Sequence, residues 1–241
     1  MSPQLSPSEY LASLERDGRR MIEVVASGDL AAPVPPCPGW TLTELAGHLG
    51  AVHRWAAALV RSGQPGERGT GPTDGADLVA WMDEGLTDLL ALLASLDLSA
   101  PAWTFGPEPR VAGFWPRRQA QETSVHLWDA ELSQGRSHRI DPALAADGVD
   151  EVLTVFMPRQ IARGQLAPLP GGVLLVLSDC DDRTAVLAGD GADPEAPTQV
   201  MVRGTAQEIL LALWRRQPID GLEIAGDADL ARTVFTSALT S

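Results

Sequence analysis

The sequence contains no lysine, few cysteines and histidines, and no long apolar run. None of its 18 basic residues is a lysine, and 32 acidic residues give the chain a formal net charge of −14. Nucleic acid and anionic membrane surfaces are poor partners for such a chain, because both are themselves negative. No apolar run is long enough to cross a bilayer and no signal segment opens the chain, so no membrane partner and a cytoplasmic location are expected.

Neither a disulfide framework nor an intrinsic nucleophile is indicated. Cys37 and Cys180 form no CxxC motif. The chain has no G-x-S-x-G sequence and no cysteine placed with a His–Asp pair, so it offers no convincing nucleophile of its own. Cys37 precedes a predicted helix, where a thiol can become reactive, but a small, half-buried loop residue is the preferred interpretation.

What the sequence does contain is a carboxylate and an imidazole one helical turn apart. The stretch from Trp115 to Glu131 reads WPRRQAQETSVHLWDAE and favours a helix, with Pro116 suited to the first helical position. Residues four apart lie on the same face of a helix, so Glu122 and His126 can bind one metal ion. Asp129 could then accept the second N–H of the imidazole. This stretch alone leaves a solvated helix face as the alternative.

A helix predicted over Thr41 to Val60 supplies a third candidate ligand. Its start has the pattern of a capping box, and an apolar stripe follows at spacings of three and four. His48 borders this stripe and is expected to face the interior of a helical bundle. His53 is rotated away from His48 and is expected at the edge of the buried face or outside it. A core histidine without a ligand role is the alternative at His48.

Two histidines and one carboxylate on facing helices form a recurrent open metal site. The sequence therefore predicts that His48, Glu122 and His126 bind one metal ion and leave one coordination position free. A water bound there would make the protein a hydrolase. A thiol bound there would be held as a thiolate and would make it an isomerase or a transferase.

The periodicity along the chain predicts an α+β protein in two domains. Five segments have a helical period: 6–27, 41–60, 74–95, 115–131 and 141–157. Short apolar runs typical of strands follow at 172–177, 184–188 and 198–202. The tail continues with a helix over 205–215, a strand over 222–225 and a short last helix. Helices followed by a strand-rich tail indicate a helical domain over 1–160 and a second domain over 165–241.

Three segments resemble the mycothiol-dependent maleylpyruvate isomerase family, which belongs to the DinB-like metalloprotein superfamily. Two of them resemble its signature helices: PCPGWTLTELAGHLGAVHRWA at 36–56 and RRQAQETSVHLWDAE at 117–131. The third, VRGTAQEILLALWRRQPIDGLEIAGD at 202–227, resembles its C-terminal domain. The resemblance implies a DinB-like four-helix bundle followed by a small α/β, SCP2-like domain. It also implies His48, Glu122 and His126 as ligands of a divalent metal, usually zinc.

The function implied by the resemblance is that of a mycothiol-dependent isomerase or S-transferase. The cofactor sulfur, held on the metal as a thiolate, would add to a small electrophile such as an unsaturated acid, and would then leave after bond rotation or stay attached. A DinB-like protein with a hydrolytic or non-catalytic stress or binding role is the alternative. The partners implied are this electrophile and the thiol, and the chain would be a monomer or a homodimer.

The resemblance also identifies further catalytic candidates and two departures. The family's isomerases use an arginine of the C-terminal domain, and Arg215 and Arg216 match that segment, where one of them could bind a carboxylate. A solvated helix end is the alternative for both. Asp129 is expected to support catalysis through His126. Gln121 stands where many relatives have histidine, and Leu127 stands where many have arginine, and neither change removes a ligand.

Overall fold

Four long helices form the first of the two units into which the chain divides, and its described part covers residues 5–104 and 108–140. The computed structural model describes residues 5–189, 191–192 and 195–240. The helices are α1 (Pro7–Ser27), α2 (Leu42–Ser62), α3 (Gly75–Ala94) and α4 (Phe114–Ser133). Each packs against two others, with α1 on α4 and α3, and α2 on α3 and α4. The expected four-helix bundle is therefore confirmed. No helix in the described ranges is both long and apolar enough to cross a membrane.

Side-chain caps set the starts of α1, α2 and α3. Ser6 and Thr41 stand just before α1 and α2, and the backbone N–H of each donates to a glutamate three residues on. Asp74 accepts hydrogen bonds from the first turn of α3. Such caps satisfy N–H groups that have no partner within the helix, which is why the predicted starts agree with the observed ones.

Helix α4 is polar in sequence and yet buried over most of its surface. Its buried polar side chains are Arg118, Gln119, Gln121, Thr123, Ser124, His126, Asp129 and Glu131. A helix that is polar all round normally lies in solvent, so its burial here indicates a dedicated role. Pro116 is the third residue of α4 and not the first, since the helix begins at Phe114. The N–H groups of the whole first turn lack helical acceptors, so proline also fits there.

A five-stranded sheet with helices forms the second unit, described over 105–107, 141–189, 191–192 and 195–240. Its strands are β1 (Leu169–Leu177), β2 (Arg183–Gly189), β3 (Gly191–Ala192), β4 (Thr198–Gly204) and β5 (Glu223–Gly226). They lie in the order β3-β2-β1-β4-β5; β1 and β4 are parallel and the other neighbours antiparallel. The helices are α5 (Pro142–Glu151), α6 (Met157–Ala162), α7 (Ala206–Leu213) and α8 (Ala228–Thr236). The mixed α+β architecture is confirmed.

The single helix predicted over 141–157 is instead two helices joined by a π-helical turn, Val152–Phe156. The backbone N–H of Met157 donates to the carbonyl of Val152, five residues back. Pro158 explains the wider turn, because proline has no N–H to donate and its ring clashes with the carbonyl four residues earlier. The helix then continues to Ala162, beyond the predicted end.

Apart from the short stretch 105–107, the second unit begins at residue 141, whereas the sequence places the domain boundary between 160 and 165. Limited trypsin digestion can distinguish a domain boundary at 141 from one at 160–165. We expect cleavage after the exposed Arg163, in the segment between α6 and β1. The two fragments should remain together in gel filtration, because α5 packs against α7 and the Gln160 amide donates to the Thr240 carbonyl at 2.9 Å. Fragments that separate would favour the boundary at 160–165.

Glu131 joins α4 to α1 through a buried carboxylate. It accepts hydrogen bonds from Arg20 Nε at 2.6 Å and from Arg136. Burial raises the pKa of Glu131, but the two guanidinium groups outweigh this and lower it below the usual 4.5. Its stabilising contribution is therefore present above pH 4.5 and is lost as the pH falls through the depressed pKa of the folded state.

We expect Glu131→Gln to lower the free energy of unfolding at pH 7 by about 1–3 kcal/mol, since it weakens two charge-assisted hydrogen bonds. Urea titrations at pH 7 and below pH 4.5 measure this, and the difference from the unaltered chain should shrink at the lower pH. Glu23→Gln is the control, because Glu23 is an exposed partner of Arg20 and should contribute little. An equal loss in both variants would contradict the prediction.

Candidate metal centre

Three side chains of the helical unit place their ligand atoms together. His48 lies on α2, and Glu122 and His126 lie one turn apart on α4. The Nε2 atoms of His48 and His126 are each 3.5 Å from Glu122 Oε1. Ligand atoms from all three residues lie within 4.8 Å of one another. Two ligands at zinc distances of about 2.0–2.1 Å with a tetrahedral angle between them are roughly 3.4 Å apart, so these separations suit a metal ion.

Asp129 fixes the orientation of the His126 ring. Its Oδ2 atom lies 3.0 Å from His126 Nδ1, and its side chain is fully buried. An Nδ1–H that donates to Asp129 leaves Nε2 directed towards Glu122. This is the arrangement by which an outer carboxylate sets the tautomer of a metal-binding histidine.

The two oxygens of Glu122 have different partners. Oε1 lies near the two histidines, and Oε2 forms an ion pair with Arg118, one turn earlier on α4. Burial raises the pKa of Glu122, but the charge of Arg118 and the contacts with His126 and His48 outweigh it and hold the pKa well below its usual range. Glu122 is therefore an anion at every physiological pH, as a metal-binding carboxylate must be.

His126 is a cation when no metal is bound. Burial lowers its pKa, but its contacts with Asp129 and Glu122 outweigh this and raise the pKa to about 9. A metal ion that binds Nε2 must therefore displace a proton.

His53 is buried, and its predicted position at the edge of the bundle or outside it is wrong. It is 2% exposed, and its Nε2 lies 2.9 Å from Thr123 Oγ1. Burial lowers its pKa to about 4, so it is neutral. The prediction failed because α2 buries two faces, against α3 and α4. The sequence of α2 does contain a second stripe at spacings of three and four, which indicates a second buried face. It consists of the small residues Ala46, Gly50 and Ala57, with His53 in line.

The structure places Arg215 and Arg216 in the second unit, just after α7. Arg215 has a positive φ of 57°, and Arg216 Nη1 donates to the Trp214 carbonyl at 3.1 Å. Their proposed contact with a substrate or cofactor stays a prediction.

The two cysteines lie in different surroundings. Cys37 Sγ is 3.8 Å from Asp129 Oδ2, in the helical unit. Cys180 belongs to the second unit, where its Sγ lies 3.5 Å from the Pro142 carbonyl. Burial and the nearby carboxylate of Asp179 raise the pKa of Cys180, which disfavours its thiolate.

The three candidate ligands differ in exposure, and His48 on α2 is the most exposed. Side-chain exposure is 26% at His48 and 17% at Glu122, against 10% at His126. The Trp40 ring lies 4.9 Å, centroid to centroid, from the ring of His48. Trp40 therefore lies beside the most exposed of the three candidate ligands.

Comparison with known protein families gives one match in each half of the chain. Residues 11–131 match the family described as the mycothiol maleylpyruvate isomerase N-terminal domain, and residues 143–233 match the MDMPI C-terminal domain. No curated protein matches the chain.

Two solved structures share the fold. They are crystal structures of the mycothiol-dependent maleylpyruvate isomerase, with a TM-score of 0.63, and of a histidine-to-alanine mutant, with a TM-score of 0.67. Each is 13% identical to this chain, and each alignment covers 92% of this chain and 93% of the other. The two family matches span most of the sequence, in the order of the two structural units, and the chain therefore belongs to the mycothiol maleylpyruvate isomerase family.

Proposed function

We propose that this chain is a metal-dependent enzyme that uses mycothiol to isomerise a small electrophile, or to transfer the thiol to it. The observation that carries the proposal is the convergence of His48, Glu122 and His126 on one accessible point, in a family named for a mycothiol-dependent isomerase. The substrates of the similar solved structures make maleylpyruvate the first compound to test.

The donor set fits a divalent ion such as zinc. Two imidazole nitrogens and one carboxylate oxygen are typical ligands of a catalytic zinc site, which keeps a position open for another molecule. When bound there, the metal would supply the positive charge that holds the sulfur of mycothiol as a thiolate at neutral pH. The carboxylate of Asp129 supports this donor set, since it turns Nε2 of His126 towards the other two ligands.

The substrate would be bound by groups outside α4. Leu127, where many relatives have arginine, is fully buried in the helical core, and Gln121 is 2% exposed. Neither position presents a side chain to an incoming molecule. We therefore propose that a carboxylate on the substrate or on mycothiol is bound by Arg215 or Arg216, as a guanidinium group binds carboxylates well. A cytoplasmic location, and a monomer or homodimer as the active form, belong to the same proposal.

The test is thiol-dependent turnover by the zinc-loaded protein. Maleylpyruvate should be converted with mycothiol present and should persist without it.

The Cys37→Ser/Cys180→Ser double variant should retain this activity, because the reacting thiol comes from mycothiol. Loss of turnover in a folded, zinc-loaded double variant would assign the chemistry to an internal cysteine. Zinc-dependent hydrolysis without mycothiol would favour the hydrolase. Absence of both turnover and mycothiol adducts, over a panel of electrophiles, would favour a non-catalytic binding role.

A further inference from the structure

Arg118, a buried arginine of α4, forms an ion pair with one of the two oxygens of Glu122. The Arg118 side chain is 4% exposed, and its Nη2 pairs with Glu122 Oε2. A buried guanidinium group is costly to desolvate unless it is paired, so its carboxylate partner is part of the reason it can lie there. The pair joins residues four apart on one helix, which holds both side chains along the same face.

This pairing leaves Glu122 with one oxygen for a metal ion. Oε1 is 3.5 Å from Nε2 of both His48 and His126, whereas Oε2 is held by Arg118. We propose that Arg118 is a positioning residue that limits Glu122 to binding the metal through one oxygen and so keeps a coordination position open for the thiol. The inference rests on the metal centre proposed above.

Charge at the site supports the same role. A divalent ion with the carboxylates of Glu122 and Asp129 and two neutral histidines has a net charge of zero. Arg118 adds one positive charge to these groups, and one thiolate offsets it. Without Arg118 the same thiolate would add a negative charge beside two largely buried carboxylates with no guanidinium to offset it, which is unfavourable. Arg118 should therefore strengthen binding of the thiolate. Because it is itself a cation, it should not strengthen binding of the metal.

Two consequences distinguish this role from a purely structural ion pair. Removal of Arg118 should change how the metal is coordinated more than how much metal binds, because all three ligands remain. It should also weaken thiol binding, since the second oxygen of Glu122 can then occupy the open position. A structural ion pair would affect the stability of the fold and leave the coordination of the metal unchanged.

Cobalt substitution provides the readout, because four-coordinate Co²⁺ absorbs visible light more strongly than five- or six-coordinate Co²⁺. The unaltered chain should bind one Co²⁺ with strong visible bands. Arg118→Met should still bind one Co²⁺, with clearly weaker bands, and its affinity for mycothiol should fall about 10–100-fold, as usual when a group that orients a ligand is lost. The control is Arg61→Met, which breaks an exposed arginine–carboxylate pair with Asp88 and should leave both quantities unchanged.

The possible results separate the inference from the proposal on which it rests. An unaltered chain that binds no Co²⁺ would remove the metal centre and this inference together. Normal Co²⁺ binding with the same spectrum and the same mycothiol affinity in folded Arg118→Met would overturn the inference alone. If Arg118→Met does not fold, a crystal structure of the zinc-loaded unaltered chain decides. One Glu122 oxygen on the ion and Arg118 on the other is expected, and both oxygens on the ion would overturn the inference.

Discussion

Glu122→Gln is expected to remove stoichiometric metal from the purified protein and to leave its helical content intact. Glu122 is the anionic member of the three-ligand group, and both histidines turn their Nε2 atoms to its Oε1. An amide carries no charge and is a poor ligand for zinc, so the loss of affinity should exceed the about 10–100-fold that follows the loss of an outer partner. Elemental analysis and circular dichroism measure the two quantities.

Glutamine is preferable to alanine in this experiment because of Arg118. Alanine would remove the Glu122 carboxylate from the buried Arg118 guanidinium, and breaking a buried ion pair in this way typically costs about 3–5 kcal/mol. Glutamine keeps an oxygen that can accept from Arg118. Glu131→Gln is the matched control, since it makes the same change at another buried carboxylate of α4 that pairs with arginines and lies outside the ligand group. Stoichiometric zinc in folded Glu122→Gln would show that the metal binds elsewhere.

Asp129→Asn is expected to weaken metal affinity by about 10–100-fold without a change in stoichiometry at saturating metal. The carboxylate accepts from Nδ1 of His126 at 3.0 Å and, with Glu122, raises the pKa of that histidine to about 9. Loss of the charge should make His126 a weaker ligand and lower its pKa in the metal-free protein. Competition with a chelator over a range of pH measures the affinity separately from proton competition at His126, and NMR titration of the imidazole measures the pKa.

Cys37→Ser is the control for Asp129→Asn, because Cys37 also contacts the Asp129 carboxylate, at 3.8 Å. A weak thiol contact should contribute little, so this variant should bind metal within about twofold of the unaltered chain. An Asp129→Asn protein with unaltered affinity would mean that His126 is oriented by packing alone.

The helices of the first unit were predictable because their signals are local. The capping residues Ser6, Thr41 and Asp74 act within one turn, and Glu122 and His126 are neighbours simply because they are four residues apart on a helix. Spacing alone also puts Asp129 within reach of His126. The structure agrees with each of these expectations, down to the 3.0 Å contact between the last two side chains.

Features that depend on packing between elements were harder to predict from the sequence. The burial of His53 follows from α2 contacting two helices, and one apolar stripe does not reveal a second contact face. The short strand β3 has only two residues, too few for a period to appear. Arg118 and Glu122 have the four-residue spacing of a helical ion pair, but spacing alone does not show that this arginine is buried against the carboxylate.

The burial of α4 has a consequence for protein engineering. A library that varies the polar positions of this helix, on the assumption that polar residues face solvent, should consist mostly of unfolded or inactive variants, because those side chains are packed against neighbours. Trp40 and His48, by contrast, are partly exposed, and their rings lie next to each other at the candidate site. Selection for new activities should therefore begin with Trp40 and its neighbours, which can change while the helix that carries two of the three candidate ligands stays as it is.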